Sequence, residues 1–298
     1  MADPQIVALR ALLAQRPRPP AIADRRLSFD AFAKVFATAD DIAVEKVSAN
    51  GVPAEWTSAP GADTGRAVLY VHGGGYVIGS LDSHRHVTSE IARDLGARTL
   101  ALHYRLAPEH PFPAPVEDTL AGYRYLLAQG IRPGNIAIAG DSAGGGLVVA
   151  ALIAIRDSGL AQPACGWCIS PWVDMEGIGG SMTSLASTDP IVQKEPLLEM
   201  SSLYLNGADP RSPLAAPLYA DLRGIAPLFI QVGAAETLLD DATRLASIAG
   251  AANVPVTLEI WPEMVHVWHL FHPALTAGRR AITAGARHVR DAMDGKRF

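Results

Sequence analysis

The sequence Gly140-Asp141-Ser142-Ala143-Gly144 places a serine between two glycines, at the junction of two apolar runs. Residues 136–139 predict a buried strand, and residues 145–150 predict the start of a buried helix. A strand that turns into a helix within a few residues strains the backbone at the bend, and the flanking glycines keep side chains out of that turn. This context is typical of a nucleophile elbow, which holds the serine hydroxyl out at the end of the sheet.

Around this junction, strand-like apolar runs alternate with helical patterns from about residue 66 onward. The predicted strands are residues 67–71, 98–102, 135–139, 164–170, 228–232 and 256–260. The predicted helices are about residues 83–95, 116–127, 143–158, 240–252 and 273–293. Apolar strands that alternate with helices favour an α/β fold, with a mainly parallel sheet covered by helices on both faces.

Two segments fall outside this alternation. Residues 1–42 have a mostly helical pattern, and residues 181–217 interrupt the alternation with a polar loop and a short apolar helix. An insertion between two strands is where an α/β enzyme carries a lid. We therefore expect residues 1–42 and 181–217 to form a small helical cap over a catalytic domain of residues 43–180 and 218–298. The alternative is that both segments are separate peripheral helices.

Length and composition narrow the class of protein. The chain of 298 residues is long enough for one large core, alone or with a small subdomain. Its net charge of −5 and its lack of basic runs argue against nucleic-acid binding. No apolar stretch approaches the roughly 20 residues of a membrane-spanning helix, so stable membrane insertion is not expected.

The start of the chain and the two cysteines carry further expectations. Asp3 is followed by apolar residues at amphipathic-helix spacing, without a basic region before them, so we expect a cytoplasmic protein rather than a signal peptide. Cys165 and Cys168 lie in an apolar run, and no second pair completes a metal site. We therefore expect both thiols to be buried as small hydrophobic groups.

The run His72-Gly73-Gly74-Gly75 directly follows the first strand of the alternation. Three glycines leave backbone N–H groups bare, which is how an oxyanion hole is built; the alternative is a flexible turn. We predict that Gly74 and Gly75, with the N–H of Ala143, are the donors and that Gly73 is a third donor of this loop. His72 is expected to orient the loop by hydrogen bonding and not to be the catalytic base.

A serine nucleophile also needs a general base. His266 lies just past the strand at residues 256–260, at the strand end where a base is needed. His269 and His272 are rivals, but they lie farther on, where the chain enters the next helix. We therefore predict His266 as the base.

The acid that orients this base follows the strand at residues 228–232. Glu236, Asp240 and Asp241 all lie in this stretch. The two aspartates lie where a helix begins, and a carboxylate at a helix N-terminus is already explained by capping and by the helix dipole. Glu236 lies nearer the strand end, so we favour Glu236 and keep Asp240 as the alternative. The chain order of nucleophile, acid and base is that of α/β hydrolases.

At these residues the chain resembles the hormone-sensitive-lipase-like family of bacterial carboxylesterases. The similarity extends over about residues 66–290. The matching motifs are His72-Gly73-Gly74-Gly75, residues 104–114, residues 116–118, residues 140–145, residues 170–174 and residues 264–266.

The resemblance implies an α/β-hydrolase fold with a helical cap and hydrolysis of short-acyl esters through an acyl-serine, without metal or cofactor. It implies that Ser142 is the nucleophile, His266 the base, and Gly74, Gly75 and Ala143 the oxyanion hole. It also suggests a homodimer through a sheet edge. A receptor derived from this family would be expected to lose the base, whereas a lactonase, amidase or sugar-acetyl esterase would keep the same triad.

One position departs from the family pattern. The family usually has aspartate in a D-P-L-x-D motif that here reads Glu236-Thr237-Leu238-Leu239-Asp240. The first carboxylate position is kept, so we expect glutamate to take the role of aspartate. Asp141 fills a common family position and is expected to support the site, although local capping at the elbow explains it equally well.

Overall fold

An eight-stranded sheet covered by helices forms the body of the protein in the computed structural model, which describes residues 3–15, 19–36 and 38–296. The strands are β1 (Ala43–Ala49), β2 (Val52–Ser58), β3 (Asp63–Val71), β4 (Ala97–Leu102), β5 (Ile136–Asp141), β6 (Cys165–Ile169), β7 (Leu228–Gly233) and β8 (Val256–Trp261). The helices are α1 (Pro4–Ala14), α2 (Ile22–Ala33), α3 (Leu81–Leu95), α4 (Ala114–Ala128), α5 (Ala143–Asp157), α6 (Ser181–Ser184), α7 (Lys194–Leu205), α8 (Leu239–Ala251) and α9 (Thr276–Met293).

The sheet has the order β1-β2-β4-β3-β5-β6-β7-β8. All strand pairs from β4 to β8 along this order are parallel, which confirms the predicted α/β class. The pairs β1–β2 and β2–β4 are antiparallel, and strands β1 and β2 were not predicted. The turn between β1 and β2 is Asn50-Gly51, with both residues at positive φ. An Asn-Gly pair between two strands is the sequence signal that would have predicted this hairpin.

Helices cover both faces of the sheet. The apolar residues of α3 and α9 pack on one face, and those of α4, α5 and α8 pack on the other. Helix α5 is buried on nearly all sides, which explains why its sequence has no polar face. Burial of each Val or Leu side chain contributes about 1.5–3 kcal/mol, so α5 anchors the elbow firmly in the core.

The N-terminal helices pack against loops at one end of the sheet. Three apolar residues of α1 contact the chain that follows β8, and these are Ile6, Leu9 and Leu13. Arg26 of α2 donates from Nε to the Val77 carbonyl oxygen (2.8 Å) and forms an ion pair with Glu109 (2.7 Å). Arg25 pairs with Glu199 of α7 at 3.1 Å, which joins the two segments of the expected cap. Residues 1, 2, 16–18 and 37 of that cap lie outside the described residues.

Both cysteines lie on β6, as free thiols with no exposed surface. Burial raises the pKa of Cys165 to about 12, so this thiol stays protonated and unreactive near neutral pH. Their placement matches the expectation of small buried groups. Within the described ranges, no helix is long and apolar enough to cross a membrane.

Candidate active site

The carboxyl ends of five parallel strands meet at one edge of the sheet, and each is followed by a polar residue of the candidate site. His72 follows β3, Ser142 follows β5, and Ser170 follows β6. Glu236 lies three residues past β7, and His266 lies in the loop after β8. Parallel strands bring residues that are distant in sequence to this edge, which is where α/β folds bind their ligands.

The elbow turns as tightly as its glycines suggest. Ser142 has φ 57° and ψ −120°, which is a strained conformation for a residue with a side chain. A Cβ on Gly140 would lie 2.5 Å from the Val71 carbonyl oxygen, and a Cβ on Gly144 only 2.0 Å from it. The Ser142 N–H donates to the Ile169 carbonyl oxygen at 2.8 Å. The turn therefore fits only with glycine at both flanking positions.

Ser142, His266 and Glu236 form a continuous hydrogen-bonded chain. The Ser142 Oγ lies 2.9 Å from His266 Nε2, and His266 Nδ1 lies 3.2 Å from Glu236 Oε1. The side chains of His266 and Glu236 are buried. With the Nδ1 proton donated to Glu236, Nε2 is the acceptor that can take the serine proton. The three side chains thus have the geometry of an activated nucleophile.

The second oxygen of Glu236 is held as firmly as the first. Its Oε2 accepts hydrogen bonds from Ser170 Oγ (2.8 Å) and from the Gly233 N–H (2.9 Å). Ser170 Oγ in turn accepts from the N–H of Val267 at 3.1 Å, so one hydroxyl links the acid to the loop that carries His266. Ser170 was not among the residues predicted for the site, although it lies in the motif of residues 170–174, at the end of a predicted strand.

The other carboxylates of the acid loop have structural partners. Asp240 Oδ2 accepts from the Ser181 N–H at 3.0 Å. Asp241 Oδ2 accepts from the N–H groups of Val173 (2.9 Å) and Asp174 (3.0 Å), and burial raises the pKa of Asp241 to about 7. The structure therefore brings Glu236 to His266, whereas Asp240 and Asp241 bind backbone N–H groups of residues 173–181.

The rival histidines also lie elsewhere. His269 Nε2 is 2.9 Å from Gln231 Oε1, in a buried polar cluster behind the sheet edge. His272 stacks on His86, with ring centroids 5.6 Å apart. In the described part of the chain, Ser142 has His266 as its imidazole partner.

The glycine loop after β3 presents backbone N–H groups beside Ser142. Gly74 and Gly75 have positive φ values of 111° and 62°, and both line the same cavity as Ser142. Within the described ranges, the N–H groups of Gly74, Gly75 and Ala143 have no hydrogen-bond acceptor in the protein. The Gly73 N–H differs because it donates to Asp141 Oδ1 at 3.0 Å, so it is not free to bind an oxyanion as predicted.

Asp141 ties the elbow to this loop. Besides the Gly73 N–H, its Oδ1 accepts from the Tyr70 hydroxyl at 2.7 Å, and His84 Nε2 lies 3.4 Å away. Burial alone would raise the pKa of Asp141, but His84 and the Tyr70 hydrogen bond lower it to about 2. A buried, ionised Asp141 thus fixes the position of the glycine loop relative to Ser142.

His72 orients the loop from its other side. Its Nδ1 lies 2.8 Å from the Gly73 carbonyl oxygen and is the donor of that bond. The ring is stacked on Tyr104 at 4.3 Å between centroids. Burial, with His84 nearby, lowers the pKa of His72 to about 3, so the ring stays neutral. His72 is placed where the sequence analysis expected an orienting residue.

A cavity of about 510 Å³ opens directly onto Ser142 and His266. Its walls come from the oxyanion loop, from the N-terminal helices and from the insertion, and the insertion contributes Pro190, Ile191, Val192, Gln193, Leu197 and Met200. The walls are mostly apolar, which suits the acyl or alcohol part of a small molecule. Among the residues that the structure describes, no group of three or more His, Cys, Asp or Glu side chains could hold a metal ion.

The surroundings of His266 raise the pKa of its imidazole. Burial lowers the pKa of this imidazole, but the hydrogen bond and the charge of Glu236 outweigh burial, with smaller contributions from Asp189 and Asp141. The net result is a pKa above the ordinary value of 6.5. The ring is therefore a stronger base than a free imidazole and accepts a proton from serine more readily.

This shift predicts the pH dependence of activity. Because the neutral imidazole is the base, kcat/KM should fall on the acid side with a midpoint above pH 6.5. The profile can be measured with p-nitrophenyl butyrate at the isosbestic wavelength of p-nitrophenol. A midpoint at or below 6.5 would contradict the raised pKa of His266.

Comparison with known proteins finds close relatives along the whole chain. A family model described as the alpha/beta hydrolase fold matches residues 68–270. An acetyl-hydrolase of Streptomyces hygroscopicus is 46% identical over 294 residues, which make up 98% of each protein.

Solved structures agree with the chain over a similar span. An esterase from the bacterial hormone-sensitive lipase family superposes with a TM-score of 0.97 at 49% identity, over 98% of this chain and 99% of that one. The esterase EstE5, in a crystal soaked with p-nitrophenyl butyrate, superposes with a TM-score of 0.95 at 47% identity, over 98% of this chain and 100% of EstE5. The likeness therefore includes the N-terminal helices and the insertion as well as the sheet.

Proposed function

We propose that this chain, which belongs to the hormone-sensitive-lipase-like esterases of the α/β-hydrolase fold, hydrolyses short-acyl esters through an acyl-enzyme formed on Ser142. The chain is a carboxylic ester hydrolase. The triad and the preference for short acyl groups are the parts proposed here. The observation that carries them is the hydrogen-bonded chain from Ser142 through His266 to Glu236, on the wall of the cavity.

In the proposed acylation, His266 Nε2 takes the proton of Ser142 as Oγ attacks the ester carbonyl carbon. The carbonyl oxygen becomes an oxyanion, which accepts hydrogen bonds from the N–H groups of Gly74, Gly75 and Ala143. As this intermediate collapses, the bond to the alcohol breaks and His266 gives its proton to the departing oxygen. Glu236 stays ionised and stabilises the imidazolium through Nδ1.

Deacylation repeats these steps with water. His266 removes a proton from water, whose oxygen attacks the acyl carbonyl carbon, and the same three N–H groups hold the oxyanion. His266 then returns the proton to Ser142 Oγ, and the carboxylic acid leaves. These side chains supply the nucleophile, the base and the donors, so the proposed reaction is written with no metal or cofactor.

The substrate range follows from the two segments that cover the site. We assign residues 1–42 and 181–217 to a cap, because both contribute walls of the cavity and are joined by the Arg25–Glu199 ion pair. About 510 Å³ has to accommodate the acyl and the alcohol parts together. Because the insertion that covers the site is short, we expect it to favour small acyl groups over long alkyl chains.

A homodimer through a sheet edge is part of the same proposal. Strand β8 is at one edge of the sheet, and its Ile260 is 46% exposed. An exposed edge strand can pair with the same strand of a second copy.

The substrate range can be tested with p-nitrophenyl esters of increasing acyl length. We expect the highest kcat/KM between acetyl and hexanoyl, and a loss of about 10²-fold or more at dodecanoyl, because the longer chain has to open the cap. The Ser142→Ala variant gives the background rate for each ester. Equal or rising kcat/KM up to long acyl chains would contradict the assignment.

A further inference from the structure

Asp189 is a buried carboxylate in the insertion that the proposed reaction does not use. It lies between α6 and α7 and is 3% exposed. Its Oδ1 accepts from the N–H groups of Ile191 (2.8 Å) and Val192 (3.0 Å). Its Oδ2 accepts from the N–H (2.8 Å) and the hydroxyl (3.2 Å) of Thr237. All of these partners are donors, which is the complement of a carboxylate.

The two oxygens of Asp189 reach two different parts of the site. Ile191 and Val192 are on the wall of the cavity that contains Ser142. Thr237 directly follows Glu236, whose carboxylate orients His266. One side chain therefore joins the wall that contacts substrate to the loop that holds the triad acid.

A second hydrogen bond, from Ser181, also joins the insertion to the loop that carries Glu236. Ser181 Oγ donates to the Thr237 carbonyl oxygen at 2.6 Å, so both backbone polar groups of Thr237 are bonded to the insertion. The peptide unit before Thr237 is thus held at its N–H and the one after it at its C=O, so neither can rotate without breaking a buried hydrogen bond, which is costly to leave unmade. The position of Glu236 thus depends on the insertion as well as on Ser170 and Gly233.

The charged groups around His266 include Asp189. The base is affected by Glu236 from the loop after β7, by Asp141 from the end of β5 and by Asp189 from the insertion. On the side of α1, Arg10 donates to the Glu263 carbonyl oxygen at 2.8 Å. Removing the charge of Asp189 leaves the other groups in place and makes the imidazolium less favourable.

We propose that Asp189 is a positioning residue that couples the cavity wall to the triad acid, so that both turnover rate and acyl preference depend on it. This inference rests on the proposed triad of Ser142, His266 and Glu236. Asp189 does not contact the reacting atoms. It acts by fixing Thr237, and hence Glu236, relative to Ile191 and Val192.

The test is Asp189→Asn, which keeps the size of the side chain but turns an NH₂ group toward one pair of N–H donors. We expect kcat/KM for p-nitrophenyl butyrate to fall about 10-fold to 100-fold, because small displacements of catalytic groups have effects of this size. The acid midpoint of the pH profile should move to lower pH. The ratio of rates for butyrate and acetate esters should also change. Asp209→Asn is the matched control, because Asp209 is also a carboxylate of the insertion that accepts from a backbone N–H, that of Arg211, and it should keep all three properties.

The double variant with Glu236→Gln separates the two effects. If Asp189 acts through Glu236, its added loss of rate should shrink to about threefold or less, while the changed acyl preference should persist. The proposed coupling would be overturned if the loss of kcat/KM in the double variant equalled the product of the losses in the two single variants. So would an Asp189→Asn enzyme that loses only melting temperature, with its rate, pH midpoint and acyl preference unchanged.

A second variant and a labelling experiment cover the cases in which Asp189→Asn does not fold or the triad itself is wrong. If Asp189→Asn fails to fold, Thr237→Val removes the hydroxyl donor and keeps the charge of Asp189, so it should lower kcat/KM and change the acyl preference while the pH midpoint stays in place; a wild-type rate and acyl preference would overturn the proposal. Labelling of Ser142 by a fluorophosphonate tests the triad separately. Normal labelling with no effect at Asp189 refutes this inference only, whereas the absence of labelling in the wild type refutes the proposed function.

Discussion

Replacement of Ser142 by alanine should abolish turnover of p-nitrophenyl butyrate, with kcat reduced by about 10⁴-fold or more. Alanine has no atom that can form the acyl-enzyme, and the His266 Nε2 that lies 2.9 Å from Oγ loses its proton donor. The fold should remain intact, because alanine keeps the Cβ that serine already carries at φ 57°. A melting temperature close to that of the wild type would show that the loss is chemical.

The matched control is Ser158→Ala. Ser158 is an exposed serine at the opposite end of the elbow helix and should keep the wild-type rate. Both variants are assayed on the same ester at equal concentrations of folded protein. Wild-type rates in Ser142→Ala would mean that another group is the nucleophile.

Replacement of Glu236 by glutamine should lower kcat/KM by about 10²-fold to 10⁴-fold. The Gly233 N–H and the Ser170 hydroxyl both donate to Glu236 Oε2, so a glutamine amide places its oxygen toward them and its NH₂ toward His266. Nδ1 would then have to accept, which puts the imidazole proton on Nε2. In that tautomer His266 cannot take the proton of Ser142.

Asp240→Asn is the control for the Glu236→Gln prediction. Asp240 is the alternative acid from the sequence, but in the structure it accepts from the Ser181 N–H, and asparagine retains an acceptor there. Its kcat/KM should stay within about threefold of the wild type, as for most substitutions outside the site. The assignment is wrong if Asp240→Asn shows the large loss and Glu236→Gln does not.

The positions of Ser142 and His266 were predictable because each follows a strand that the apolar pattern marks clearly. The elbow needs glycine at its first flank partly for a local reason, because a Cβ on Gly140 would lie 2.6 Å from the Gly144 carbonyl oxygen, and such local requirements are visible in sequence. Glu236, rather than Asp240, lies beside His266 in the structure. Its longer side chain spans to His266 from a loop position three residues past β7.

Other features depend on contacts between distant segments. Strand β1 was not predicted because most of its residues are exposed, and pairing with β2 holds it in place. In sequence, Gly73 cannot be distinguished from Gly74 and Gly75 as a donor, yet in the structure its N–H donates to the Asp141 carboxylate. The role of Asp189 depends on its meeting Thr237 across 48 residues of chain.

The most direct test of the central claim is stoichiometric labelling with a fluorophosphonate, followed by peptide mass spectrometry. We expect one label per chain, located on Ser142, with inactivation that follows labelling in proportion. The Ser142→Ala variant should take up none. Full inactivation with the label on another residue, or an active wild-type enzyme that takes up no label, would contradict a mechanism through acyl-Ser142.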